Sequence, residues 1–415
     1  MKTEPIKVIK DSSKATLILV YRAEFKETLE KEIADRLQGV KHTLFDGSGF
    51  IGVEMPAESK SPDVLPHLLR EPFIFERQRL PLATWFPDET TDAAGLPQRL
   101  IEQTSTVLQA YTGRVRLHVF TPEVDTAKSL AGKARYLEGQ LTGPDGFSGM
   151  RTGSADLSDK PFHTAVWQVC VVPGGVWSSF SLLSHLSHTH PGGVHRMAKD
   201  PLAPSRSYQK IEEALELLDA RPRLREQVID LGAAPGGWSY AFLKRGCRVL
   251  AVDNGPLKIK GLDDLPGQLS HEKTDGLRYK PPANWLPVDW LLSDMLIAPG
   301  ICLGLLRKWL GNGWTRRFII NIKLPQKNPL VAIAPMVEFL EQTPGLDWRL
   351  RQMYHDRREV TLTGSLDIGL TPAITPTAAR PLKKQARPSA KSAHGKKERK
   401  ERRKKQPSRP NKIRK

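Results

Sequence analysis

Three cysteines in 415 residues is few, and Cys170, Cys247 and Cys302 form no C-x-x-C pair. That argues against a disulfide framework or a zinc site built on cysteine, and it suits a reducing compartment. No run of about 20 apolar residues occurs, so no spanning helix is expected. The opening MKTEPIKVIKDSSK lacks the apolar core of a secretory signal. These absences predict a soluble, cytoplasmic chain with no membrane partner. Nothing in the sequence sets an oligomeric state.

Charge is present in excess but unevenly. The net value is +18, yet 17 Lys/Arg against Glu398 and Glu401 put +15 of it between Arg380 and Lys415, leaving +3 elsewhere. The body, with 39% hydrophobic and 26% charged residues overall, reads as an ordinary globular protein. From about Gly369 the chain turns Pro/Ala/Thr-rich and then Lys/Arg-rich, with too few apolar groups to offset its ordering entropy. A disordered basic tail over 372–415 is expected. It would bind RNA phosphates by counterion release, without aromatic residues for base stacking.

Two rhythms precede the tail. Residues 1–190 mix strands (KATLILVY, HTLFDGSGFIGVEM, RVRLHVFTP), helices (EFKETLEKEIADRL, DTAKSLAGKARYLEGQL) and a hairpin, AVWQVCVVPGGVWSSFSLL, turning at Pro173-Gly174-Gly175. This predicts an α+β region. Residues 191–371 alternate apolar strands (QVIDL, RVLAVD, VDWLLSD, RRFIINIKL) with helical segments, the α/β pattern of a Rossmann-like parallel sheet. Between them His185, His188, His190 and His195 sit in a Gly/Pro connector without a supporting cysteine or carboxylate. They are expected to be loop residues, with no metal bound.

Ligands of such sheets lie at the carboxyl ends of strands. The first strand runs into Asp230 and GAAPGGW, whose Gly232, Gly236 and Gly237 permit a tight turn and close backbone approach. Asp253 follows 23 residues later, placed for a ribose diol. Asp275 and Asp294 follow the next two strand candidates. These glycines do not follow G-x-G-x-x-G, and no G-x-x-x-x-G-K-[ST] occurs, which disfavours dinucleotides and P-loop ATP. A nucleoside ligand explains four acids at successive strand ends better than chance does.

DLGAAPGGWS, with APSRSYQKIEEA before it and IINIKLP and HDRREVTL after it, resembles the FtsJ-like ribose 2′-O-methyltransferases over about Pro204–Gly364. The forms VDNGP, SDM, NIKLP and YHDRREV are most similar to the RlmM-type branch. That resemblance implies S-adenosylmethionine as cofactor and a cytidine 2′-hydroxyl in large-subunit ribosomal RNA as target, before full assembly of the subunit. It also implies an N-terminal RNA-binding region with a THUMP domain, which EPFIFERQRLP and the hairpin near Val171 resemble without a diagnostic motif.

The family's Lys-Asp-Lys-Glu set falls on Lys210, Asp294, Lys323 and Glu359. By the same resemblance Ala234, Pro235, Gly236 and Gly237 form the turn near the methionine part, with Trp238 beside it. Ser207 contacts the cofactor's polar end, Asp253 its ribose and Asp275 its adenine. Asp294 lies nearest the methyl group, and Asp230 and Gly232 complete the set. Ala234 departs from the cysteine of some relatives, which matters little where the backbone does the work. Lys323 is implied as the proton acceptor. That role needs burial or a neighbouring cation, Lys210, to lower its pKa from about 10.4. Read alone, Lys323 is a snorkelling strand-end lysine. Two other readings stay open: the same chemistry on another RNA, and a noncatalytic RNA-binding ribosome-assembly protein. The usual N-P-P-[YF] signature of amino methylation is absent.

Overall fold

The computed structural model describes residues 14–56, 71–88, 95–144, 146–147, 150–154, 162–218 and 221–366. The expected tail at 372–415 lies outside them, and all of them fall in one compact unit. The first half contributes two sheets. Strands β1 (Lys14–Tyr21), β2 (Thr43–Gly47), β3 (Phe50–Pro56) and β4 (Glu76–Leu80) pair antiparallel in the order β2-β3-β1-β4. Strands β5 (Thr84–Pro87), β6 (Arg114–Phe120), β7 (Arg151–Thr152), β8 (Thr164–Val172) and β9 (Gly175–Leu182) form a mixed sheet, β5-β9-β8-β6-β7. The expected hairpin is β8–β9, closed by Pro173 and by Gly174 at φ +85°. The helix Lys26–Arg36 buries Leu29 and Ile33, one turn apart, and Ala131–Thr142 buries Ala134, Leu137 and Leu141. The α+β expectation for this half holds.

β4 reads ERQRL, yet every residue in it is buried. Burial of such a strand requires its polar groups to be partnered. Arg79 donates to both oxygens of Glu76, at 2.6 and 2.9 Å. Gln78 donates to the carbonyls of His188 and His190, and its own oxygen accepts the Ser187 N–H. His188, His190 and His195 lie in loop, as expected, but the connector is pinned inside the molecule, and carboxylates reach it where none was expected. His195 is 5% exposed, and the helix Tyr208–Leu217 brings Glu213 and Glu216 to the cluster.

The second half supplies β10 (Gln227–Leu231), β11 (Arg248–Val252), β12 (Gln268–Glu272), β13 (Val288–Ser293), β14 (Thr315–Lys323), β15 (Leu346–Arg351) and β16 (Glu359–Leu366). They form one sheet in the order β12-β11-β10-β13-β14-β16-β15. β10 to β14 are parallel, while β16 runs antiparallel to both β14 and β15. This is the Rossmann-like arrangement expected. Alternation along the strands divides the apolar side chains between two cores. Ile229, Leu231, Leu291 and Ile320 share one with the helices Pro299–Gly311 and Pro329–Glu341. Val228, Trp290, Leu292 and Ile319 share the other with Tyr208–Leu217 and Gly237–Leu243. The first core also takes in Leu17, Leu19, Phe25 and Phe75, so the N-terminal sheet and the parallel sheet are joined by continuous apolar packing.

Candidate active site

Strand order puts the site where the chain reverses direction across the sheet, at the carboxyl end of β10 between β11 and β13. Lys323 is the last residue of β14, and the antiparallel register sets Glu359, the first of β16, directly opposite it. Asp294 follows the end of the neighbouring β13, and Lys210 reaches in from the first turn of Tyr208–Leu217. Lys323 Nζ donates to Asp294 Oδ1 at 2.5 Å, Glu359 Oε2 at 2.5 Å and Asn321 Oδ1 at 2.8 Å. Lys210 pairs with Glu359 Oε1 and stands 3.7 Å from Asp294 Oδ1. Four residues separated by up to 149 positions thus meet as two ammoniums and two carboxylates.

The glycine turn lies beside them. Gly232 and Gly236 take left-handed φ values of +75° and +107°, which suit residues without a Cβ. A Cβ on Gly232 would stand 2.3 Å from Met295 Cγ, and one on Gly237 2.4 Å from Ser207 Oγ, so both serve close approach. Ser207 Oγ hydrogen-bonds Ser205 Oγ at 2.7 Å. Asp253, just past β11, accepts the Ala234 N–H at 3.0 Å and the Gly255 N–H at 2.6 Å, one on each oxygen. Each of those oxygens keeps a lone pair for a diol. Asp275 accepts the Leu277 N–H at 2.9 Å, and its neighbour Gly276 lies against Gly232. Backbone free of Cβ atoms, serine hydroxyls at one end and a carboxylate at the other suit an amino-acid-bearing nucleoside, so these residues fit S-adenosylmethionine.

Two members of the expected set point elsewhere. Asp230 is 1% exposed, and its Oδ2 accepts the Ser239 hydroxyl at 2.7 Å. Burial lifts its pKa to about 7, so it shapes the turn from within. Trp238 is 3% exposed and packs with Ile211, Phe242 and Trp290, anchoring the helix behind the turn rather than lying open beside it. Pro235 follows Ala234 in the turn, and its carbonyl accepts the Lys258 N–H.

Residues 203–315 match the FtsJ-like methyltransferase family. A ribosomal RNA large subunit methyltransferase M from Shewanella frigidimarina is 34% identical over 258 residues, covering 59% of this chain and 68% of its own. Its counterpart from Haemophilus ducreyi is 31% identical over 360 residues, covering 83% of this chain and 97% of its own. The one from Halorhodospira halophila reaches 41% over 175 residues, 41% of this chain and 50% of its own. The chain belongs to the ribosomal RNA large subunit methyltransferase M family. It is an S-adenosylmethionine-dependent methyltransferase, and among the described residues no helix is long and apolar enough to cross a membrane.

The FtsJ-like match takes in Ser207, Lys210, the turn, Asp253, Asp275 and Asp294, and ends at the first residue of β14. Lys323 and Glu359 lie beyond it, and the strand register joins them in space to the rest. In this member of the methyltransferase M family the charge state of Lys323 corrects the sequence expectation. Burial does press its pKa down, but Asp294 and Glu359 outweigh burial, and the net shift is upward. Glu359 is also opposed by burial, yet Lys210 and Lys323 hold its pKa below the ordinary value. Lys210 is spent on Glu359 rather than repelling Lys323. The resting site therefore holds an ammonium at Lys323.

Sequence reasoning missed the support beneath it. Asn321 fixes Lys323 with its oxygen, while its Nδ2 donates to Asp356 at 2.9 Å and Thr361 at 3.2 Å. Asn321 is a polar residue two positions before Lys323 in an apolar strand, and a period-2 count along IINIK would have placed both on one face. Asp356 is 1% exposed, and burial with the nearby Glu359 lifts its pKa to about 8.

Proposed function

We propose that this protein transfers a methyl group from S-adenosylmethionine to the 2′-hydroxyl of a cytidine in large-subunit ribosomal RNA, before the subunit is fully assembled. The meeting of Lys210, Asp294, Lys323 and Glu359 at the mouth of the glycine turn carries this reading. Two lysines aimed at one point suit an alcohol nucleophile, whose proton must leave, better than they suit a noncatalytic binder. When bound, the cofactor supplies an electrophilic methyl group on a sulfonium.

Asp294, nearest the turn, and Glu359 hold the two ammoniums so that the ribose hydroxyl is fixed in line, a positioning effect that dominates such displacements. The hydroxyl oxygen would take the methyl carbon as that carbon's bond to sulfur breaks, leaving a neutral thioether, and the O–H proton leaves the oxygen. The proton passes to Lys323 Nζ once that group has released its own to water, while Asp294 and Glu359 stay ionised and hold it by hydrogen bonds of 2.5 Å. One proton per turnover leaves to water. Residues 1–190 are assigned to RNA capture and 191–371 to catalysis, with the tail at 372–415 adding phosphate contacts; an RNA substrate of this kind places the chain in the cytoplasm.

The test is incubation of the intact chain with labelled S-adenosylmethionine and large-subunit RNA lacking the modification, followed by digestion to nucleosides. Label in 2′-O-methylcytidine supports the reading. Label in another nucleoside replaces the target, and cofactor binding with no labelled RNA, free or in immature particles, favours the noncatalytic reading.

A further inference from the structure

The connection from β15 to β16, Gln352 to Arg358, delivers Glu359 to Lys210 and Lys323. We propose that Arg22, from the N-terminal half, is a positioning residue for Glu359, so that this half completes the methyl-transfer site as well as capturing RNA. The proposal rests on the reaction assigned above. Arg22 follows β1, and its Nη1 donates to the carbonyl of Asp356, 334 positions away in sequence. Its Nε pairs with Glu24 at 3.1 Å, which helps to fix the guanidinium plane. Gln352 Nε2 also reaches the Asp356 carbonyl, but it is neutral and stands at 3.4 Å. The charge-assisted bond from Arg22 is the stronger of the two.

Other groups of the N-terminal half grip the same corner. The Gln352 N–H donates to the Ile74 carbonyl at 2.8 Å, and Arg351 Nη2 to the Glu76 carbonyl at 3.1 Å. Arg77 lies over the Tyr354 ring, its Cζ 5.0 Å from the centroid. From the catalytic half Glu213, one helical turn from Lys210, accepts the Tyr354 N–H at 2.6 Å and the His355 N–H at 3.0 Å. The corner is thus held between the N-terminal half and the helix that carries Lys210.

Two routes lead from the corner to the tetrad. One is covalent, since Glu359 lies three residues past Asp356. The other is polar: Asp356 Oδ1 accepts from Asn321 Nδ2 at 2.9 Å, and Asn321 Oδ1 accepts from Lys323 at 2.8 Å. A shift of Asp356 therefore reaches both Glu359 and Lys323. Misplacing a reacting group by about 1 Å costs about 10²-fold in rate, even when the cause lies far from the chemistry.

The test uses full-length Arg22→Met, which keeps the aliphatic stem and loses the donors. Its side chain is 32% exposed, so the variant should fold. Hydrogen exchange on the peptide 352–361 needs no substrate and should run faster than in wild type. Single-turnover methyl transfer at saturating RNA and cofactor should fall about tenfold or more, with cofactor affinity unchanged. Arg22→Lys, which keeps a charged donor, should recover part of the loss. A merely structural arginine would lower the melting temperature and leave the rate of each folded molecule intact. Exchange at the wild-type rate overturns the proposal. So does an undiminished transfer rate, or a loss that vanishes at saturating RNA, which would make Arg22 an RNA contact. The exchange arm is decided without methyl transfer, so a wild type that leaves cytidine unmethylated sinks the assigned reaction and not the role of Arg22 at the corner.

Discussion

Asp356→Asn separates a buried, proton-holding carboxyl from the rest of the site. Asp356 touches Asn321 Nδ2 at 2.9 Å, the Met353 N–H at 3.0 Å and the Thr361 hydroxyl at 3.0 and 3.1 Å. Its pKa rises from 3.8 to about 8, chiefly through burial. Between those values the folded carboxyl keeps a proton that the unfolded chain releases, so native stability falls as pH climbs through the window. About three pK units of that window lie between pH 5 and its upper end, a loss of about 4 kcal/mol for wild type. Readjustment of Lys210 and Glu359 brings the expected loss to about 2–4 kcal/mol. The asparagine carries no such proton and should be flat in this respect. It forfeits one acceptor, a pH-independent cost of about 1 kcal/mol. Urea melts followed by circular dichroism at pH 5 and pH 9 decide the matter. The variant's midpoint relative to wild type should rise by more than about 0.7 M over that range, given slopes of about 1–3 kcal/mol/M. Parallel pH profiles for the two proteins would refute the assignment of a protonated Asp356.

Three further outcomes are expected. Gly236→Ala must hold a side chain at φ +107° with its Cβ 2.7 Å from Ile259 Cγ1, so it should lose about 1–3 kcal/mol and bind cofactor more weakly by calorimetry; wild-type values would contradict the role of the turn. Asp253→Ala strips the acceptor from the Ala234 and Gly255 N–H groups and removes the diol partner, so cofactor affinity should fall at least about tenfold, with Asp253→Asn in between. In Glu359→Gln one of the carboxylates that hold the Lys323 pKa up loses its charge, so the value should drop and the rising limb of the rate–pH profile should move toward neutral pH. An unmoved limb would remove Lys323 from the proton path.

The parallel sheet was legible because QVIDL, RVLAVD, VDWLLSD and RRFIINIKL are buried on both faces and read as continuous apolar runs. β12 and β15 were not, since as edge strands they carry QLSHE and LDWRLR, with polar side chains facing out. β4 hid for a different reason: its Glu76–Arg79 pair satisfies charges that composition alone assigns to the surface. The tetrad was legible through the order of its motifs, but its charge state was not. Whether Lys210 depresses Lys323 or neutralises Glu359 depends on a strand register that places Glu359 between them. The histidine cluster was missed because its carboxylates come from the next helix, a contact that local spacing does not encode.

The most direct measurement is single-turnover methyl transfer to large-subunit RNA by wild type and Lys323→Met, with cofactor affinity measured alongside. The account predicts a rate loss of at least about 10²-fold for the variant with cofactor affinity within a few-fold of wild type. Transfer at the wild-type rate by Lys323→Met would contradict it.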